Sequence, residues 1–198
     1  MLRVFDTARR TKDEFVPRNA GHVSMYVCGP TPYDVPHLGH ARKEIVFDTI
    51  RRYLVWRGFT VHYVSNLTDI EDKIIARAQE LDTTEPELVA EYEQVFGSEF
   101  DRLNILPPDD APRATEWIDQ MTRLIAELVV RGHAYVVEGK GVYFEVGSLP
   151  DYGALSHRTI EELLQSAKST GDRLRSSTST RAPALWSSSS MVRCDNAP

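Results

Sequence analysis

Met25-Tyr26-Val27-Cys28-Gly29-Pro30-Thr31-Pro32-Tyr33-Asp34-Val35-Pro36-His37-Leu38-Gly39-His40-Ala41-Arg42 is the stretch on which the fold turns. It opens inside Val23–Cys28, where Val23, Met25 and Val27 alternate with His22, Ser24 and Tyr26, the period of a half-buried strand. Gly29 and the prolines at 30, 32 and 36 then interrupt regular structure. A helix is predicted from about His40 to Arg57, with Val46, Ile50, Tyr53 and Leu54 on one apolar face. Gly58 sits where a C-terminal cap belongs. Thr60–Asn66, carrying Val61, Tyr63 and Val64, reads as a second strand. Strand, Pro/Gly loop, helix and strand together make a βαβ unit, with the right-handed crossover such units adopt.

Downstream the pattern becomes helical. Candidate helices are Ile70–Leu81, Glu85–Asn104 (stripe Leu88, Tyr92, Val95, Phe96, Phe100, Leu103) and Thr115–Arg131 (Ile118, Met121, Ile125, Leu128), with Pro107-Pro108 breaking the chain between the last two. Upstream, Leu2–Phe5 is a short strand. Ala134–Val137 and Val142–Val146 form a hairpin around Gly139-Lys140-Gly141, and Ile160–Ala167 is a short helix at best. From about Ser166 serine dominates, as in Ser187–Ser190, and a poorly ordered tail is expected.

Composition narrows the function classes. Hydrophobic residues make up 41% and charged residues 26% of the 198, enough apolar material for a core. No apolar run is long enough for a membrane span, and the charged start is not a secretory signal. A net charge of −6 argues against a surface that grips nucleic acid over most of its area. Two cysteines, Cys28 and Cys194, make no disulfide framework, and a reducing cytoplasmic compartment follows.

The chemistry concentrates at His37-Leu38-Gly39-His40. A helix N-terminus offers free N–H groups and the positive end of the macrodipole, so phosphate or developing negative charge is stabilised there. Gly39 permits close approach, and imidazoles at i and i+3 share one side of the turn. The plain alternative is a first turn that happens to hold two histidines. The context also permits two histidines on one face as metal ligands, but no H-E-x-x-H glutamate is present, which disfavours a metalloprotease helix. Taken alone, Cys28 is most simply a small buried apolar residue. Asp69 reads as an N-cap before Ile70, Glu71-Asp72-Lys73 as a solvated first turn, and Arg51-Arg52 as a solvated helix face. His133 and His157 read as structural or exposed, and Trp56 and Trp117 as packing residues.

Met25–Thr31, Tyr33-Asp34 and His37–Arg42 resemble the opening of cysteine–tRNA ligases, a class I aminoacyl-tRNA synthetase family, with His37-Leu38-Gly39-His40 standing at the HIGH signature. Val64–Ile75 is similar to the family's N-x-T-D-I-D-D-K-I segment, with Glu71 in place of the usual Asp. Leu106–Pro108, Pro112–Glu116, Gly132–Tyr135 and Val142–Phe144 extend the resemblance, which covers about Leu2 to Leu164. It implies an α/β fold: the first half of a Rossmann-like class I synthetase catalytic domain over 1–80, a mainly helical connecting insertion with a small hairpin over 81–165, and a divergent tail over 166–198. It further implies ATP-dependent activation of L-cysteine and transfer to tRNA(Cys), with ATP taken together with Mg2+. By resemblance, His37 and His40 are catalytic and bind ATP with Gly39. Cys28, Gly29, Thr31 and Thr68 bind cysteine, and Cys28 is the first of four Zn2+ ligands. A thiolate-binding metal would explain how cysteine is told from serine.

Other parts of the family pattern are absent. No K-M-S-K-S loop occurs, and Cys194, followed by Asp195-Asn196-Ala197-Pro198, lacks the flanks of the family's second ligand. The expectation is therefore an incomplete zinc site and a chain that is catalytically inactive by itself, monomeric and cytoplasmic, with tRNA binding belonging to the full-length family. Three rivals stand beside this reading: a mycothiol-pathway cysteine ligase, a non-catalytic nucleotide- or partner-binding fragment, and another small nucleotidyl-transferring α/β enzyme.

Overall fold

The computed structural model describes residues 1–139 and 141–162. The expected loose tail, Cys194 and the end of the proposed helix at 160–167 lie outside the described residues. The chain divides into two compact units, one formed by Val16–Ile118, the other by Met1–Phe15 with the described residues from Asp119 onward.

The first unit holds the βαβ motif. β3 (His22–Val27) and β4 (Thr60–Ser65) pair in parallel, with His22 opposite Thr60 and Val27 opposite Ser65. Val23 and Val27 are buried and the residues between them are more exposed, as the alternation predicts. On the far edge of β4, residues 109–114 add a further ladder. Ser65 N donates to Asp110 O (3.1 Å), Leu67 N to Pro112 O (2.9 Å) and Ala114 N to Leu67 O (3.1 Å). That ladder carries no strand-like periodicity and was not legible in the sequence.

The crossover helix, α1 (Leu38–Trp56), begins two residues earlier than expected, because His37 is its N-cap. Its packing corrects the sequence reading. Val46, Ile50 and Tyr53 are 47%, 41% and 40% exposed, while Glu44, Asp48 and Leu54 are buried. Asp48 turns inward because its carboxylate accepts from Leu106 N (3.2 Å) and from Arg52 Nε (2.7 Å), satisfying a loop N–H that would otherwise lack a partner. Arg51 donates to Pro107 O (2.6 Å) and Asp109 Oδ1 (2.8 Å), and Arg52 donates to Asn104 O (2.7 Å). The arginine pair is thus a clasp on the 104–109 segment rather than a solvated face.

Two helices complete the unit's core. α2 (Asp72–Glu80) and α3 (Glu85–Arg102) enclose Leu67, Ile74, Ala78, Leu88, Val89 and Tyr92, with Tyr33 against them. Leu88, Tyr92 and Phe96 of the predicted stripe are buried; Leu103 lies past the helix and is 45% exposed. α2 starts after Glu71, not after Asp69, so the expected cap at Asp69 is not formed.

In the second unit β1 (Arg3–Asp6) pairs antiparallel with β2 (Thr11–Glu14), a highly charged strand that the period-two pattern does not reveal. α4 (Ile118–Val130) follows a 3-10 turn, Ala114–Trp117, and its predicted stripe is the more covered face. β5 (Ala134–Val137) and β6 (Gly141–Phe144) form the expected hairpin. His133 Nδ1 meets Ser148 Oγ at 2.8 Å and His157 Nε2 meets Thr7 O at 2.8 Å, structural roles for both.

Candidate functional site

The first turn of α1 is built by reciprocal capping between its two histidines. Gly39 N donates to His37 Nδ1 (3.0 Å), and His37 N donates to His40 Nδ1 (3.2 Å). A backbone N–H only donates, so both Nδ1 atoms are bare and each neutral ring carries its proton on Nε2. The rings stack with centroids 4.0 Å apart. Gly39 has a local reason for lacking a side chain: a Cβ there would lie 2.7 Å from His37 Cε1 and 2.8 Å from Nδ1. The group that approaches Gly39 is the capping imidazole itself. First-turn N–H groups are partly consumed internally, His40 N also donating to His37 O at 2.9 Å. The donors left for an anion are the Leu38 N–H and the two Nε2–H groups, assisted by the helix dipole. His40 also meets Phe96 edge-on at 5.1 Å. Burial, then the neighbouring His37 and Lys43, push its pKa below the usual histidine range, with Glu44 opposing. It is therefore neutral near pH 7.

The end of β3 is held by Asn66. Its Oδ1 accepts from Gly29 N (3.0 Å) and Tyr26 Oη (2.8 Å), while its Nδ2 donates to Thr68 Oγ1 (3.2 Å). Thr68 N donates to Pro30 O (3.1 Å). Gly29 lies directly on this segment: a Cβ would fall 1.4 Å from Asn66 O. Cys28 is free and exposed, with its Sγ 3.7 Å from Gly29 O, so the reading of a small buried apolar residue fails. Thr31 lies in the connecting loop, where its carbonyl accepts from Tyr33 N (3.1 Å). Asp34 reaches Arg77 at 3.8 Å and Lys73 lies 5.8 Å from the Tyr33 ring, which pins that loop to α2.

Lys43, one turn beyond His40, joins the two groups. Its Nζ donates to Cys28 O (2.7 Å) and pairs with Glu44 Oε1 (2.6 Å). The structure thus brings Cys28, Gly29 and Thr68 together around Asn66, sets His37, Gly39 and His40 in one turn, and ties the sets through Lys43. Sequence reasoning passed over Lys43 and noted Asn66 only by position, since Lys43 reaches Cys28 across 15 residues and Asn66 reaches Gly29 across 37.

Asp69 accepts from Thr115 N (3.0 Å) and Thr115 Oγ1 (2.6 Å), with Arg113 Nη1 at 3.9 Å. Arg113 also forks onto Glu93, with 2.6 Å to each carboxylate oxygen. A cavity of about 360 Å³ lies behind β4, with Pro32, Glu44, Tyr63 and Phe96 among its walls.

Residues 14–193 match the family model described as tRNA synthetases class I (C) catalytic domain. The chain belongs to that family. Cysteine–tRNA ligases of Symbiobacterium thermophilum (48% identical over 166 residues), Sodalis glossinidius (49% over 168) and Pyrococcus furiosus (48% over 169) are similar to it. The alignments cover 84–85% of this chain and 35–37% of those relatives, so the chain spans about a third of their length. The class I assignment agrees with the parallel β3–α1–β4 core and with the position of His37-Leu38-Gly39-His40 at the start of α1. No described helix is long and apolar enough to cross a membrane. Among the described residues no group of three or more His, Cys, Asp or Glu side chains converges as a metal site. Cys28 offers one donor where a closed zinc site needs four.

Proposed function

We propose that this chain carries the part of a cysteine–tRNA ligase that receives L-cysteine and ATP for adenylate formation. The supporting observation is the Lys43–Cys28 hydrogen bond, which joins the Gly29–Asn66–Thr68 cluster to the histidine turn at one end of the βαβ unit. In this reading Cys28, Gly29, Thr31 and Thr68 face the amino acid. His37, Gly39 and His40 face ATP, which arrives as its magnesium complex.

A carboxylate oxygen of cysteine attacks the α-phosphorus, a new P–O bond forms, and the bond to the β-phosphate bridge breaks to release pyrophosphate. The attacking carboxylate has no proton to lose, so no general base is needed. What the protein must supply is alignment and stabilisation of charge spreading onto phosphate oxygens. The Nε2–H groups of His37 and His40 do this by donation, each Nδ1 being occupied as the acceptor of a backbone N–H in the same turn. The aminoacyl group then passes to the terminal ribose of tRNA(Cys) with loss of AMP. Zinc enters only through Cys28, whose partner ligands would lie outside the described residues; no step here depends on it. A monomeric, cytoplasmic protein belongs to the same reading.

Backbone NMR of the labelled chain tests this. ATP with magnesium should shift the amides of Leu38–Ala41, and L-cysteine those of Gly29 and Thr68. In His37→Asn and His40→Asn chains the ATP response should weaken about tenfold, the loss of one hydrogen bond to a charged group. If neither ligand moves these amides at millimolar concentration, the proposal is wrong.

A further inference from the structure

We propose that Asn66 is a positioning residue that holds the Gly29 amide and, by donating to Thr68, leaves the Thr68 hydroxyl proton free for the ligand. The inference rests on the cysteine-site reading above and assigns a role to a residue that is not itself a candidate contact.

The orientation of the Asn66 amide follows from its partners. Gly29 N–H is an obligate donor, so the atom facing it at 3.0 Å must be the carbonyl oxygen. Tyr26 Oη also directs its proton to that oxygen, at 2.8 Å. The other end of the amide is therefore NH2, a group that only donates, and it faces Thr68 Oγ1 at 3.2 Å. Thr68 is thus forced to act as an acceptor towards Asn66. Among the described residues no acceptor takes the Thr68 hydroxyl proton, which leaves it to bind an electron-rich group. The carboxylate of an amino acid is the chemical class that fits. A hydroxyl donating to a carboxylate forms a charge-assisted bond, roughly twice as strong as a neutral one.

Asn66 thus ties two amino-acid contacts to one amide. Its oxygen holds the backbone beside Cys28, and its nitrogen sets the direction of the Thr68 proton. Asp at this position separates the two functions. A carboxylate still accepts from Gly29 N and Tyr26 Oη, but it cannot donate to Thr68. The threonine would turn its proton inward to the new acceptor and away from the ligand.

The experiment is a double-substitution cycle read by NMR titration of the full chain with L-cysteine. N66D should keep the Gly29 amide protected from hydrogen exchange and the β3–β4 amide pattern of the parent, showing that fold and clamp persist. It should nevertheless weaken cysteine binding about tenfold, as T68V does. In the T68V background N66D should cost less than about twofold more, because the shared hydroxyl is already gone. Parent-like affinity in N66D overturns the proposal, and so do N66D and T68V losses that multiply in full, which would indicate repulsion by the added charge. If the parent chain itself shows no response to L-cysteine, the site reading fails and this role falls with it.

Discussion

Gly29 and Gly39 are both glycine for want of room, and their consequences differ. A Cβ at Gly29 would meet the backbone oxygen of Asn66 at 1.4 Å, and the obstruction is main chain just past the ends of β3 and β4 rather than the movable end of a side chain. Gly29→Ala should therefore lower stability by roughly 2–3 kcal/mol, the upper range for overpacking, measurable by urea denaturation. At Gly39 the obstructing atoms belong to the His37 ring, which can swing away. Gly39→Ala should cost about 1 kcal/mol, the worth of an N-cap, and release the His37 tautomer, visible in its 15N ring shifts. His40 supplies a pH dependence of defined sign. Its folded pKa lies below the ordinary value of 6.5, so the unfolded chain binds the proton more readily. Stability should fall as pH drops from about 6.5 towards the depressed folded pKa, and be unaffected by this group above that window. Thermal melts of His40→Gln should show a shallower decline across that window. An unchanged slope would mean that the ring is not held neutral.

The α1 helix is the element where pattern and packing part company. Its apolar residues repeat at helical spacing, yet Ile50 is 41% exposed while Leu54 is 4% exposed. Ile50→Lys should change stability by no more than about 0.5 kcal/mol, whereas Leu54→Ala should cost about 2–5 kcal/mol. Reversal of that order in chemical denaturation would refute the packing described. The inward carboxylates explain the rotation: Asp48 satisfies Leu106 N, and Arg51 and Arg52 bind carbonyls of 104–107. The Asp69 clasp is similar in kind. Its side chain is 7% exposed and holds both the amide and the hydroxyl of Thr115. Asp69→Ala removes both bonds, and because Thr115 is exposed its donors turn to water, so the denaturation midpoint should fall by an amount equivalent to about 0.5–1.5 kcal/mol.

At the scale of the whole molecule, every contact assigned to the candidate site lies within Val16–Ile118. The parallel pair, the crossover helix and the α2–α3 core were legible because each rests on short-range information: period-two alternation in Val23–Val27, proline punctuation, and i, i+4 stripes such as Leu88–Tyr92–Phe96. Family membership was legible too, since His37–His40 and the Asn66–Ile75 segment are local strings. What the string could not reveal involves partners far apart along the chain. The inward turn of Glu44 and Asp48, the ladder at 109–114, the Lys43–Cys28 bond and the Asn66 bridge between Gly29 and Thr68 each join residues whose identities are unremarkable locally. The sequence alone determined the βαβ unit, the helices that follow it and where the chemistry-bearing side chains sit along them, because propensity and periodicity act between near neighbours. Only the tertiary structure decided which way α1 faces and which proton each polar side chain offers, because a hydrogen bond's direction depends on the partner that folding brings to it.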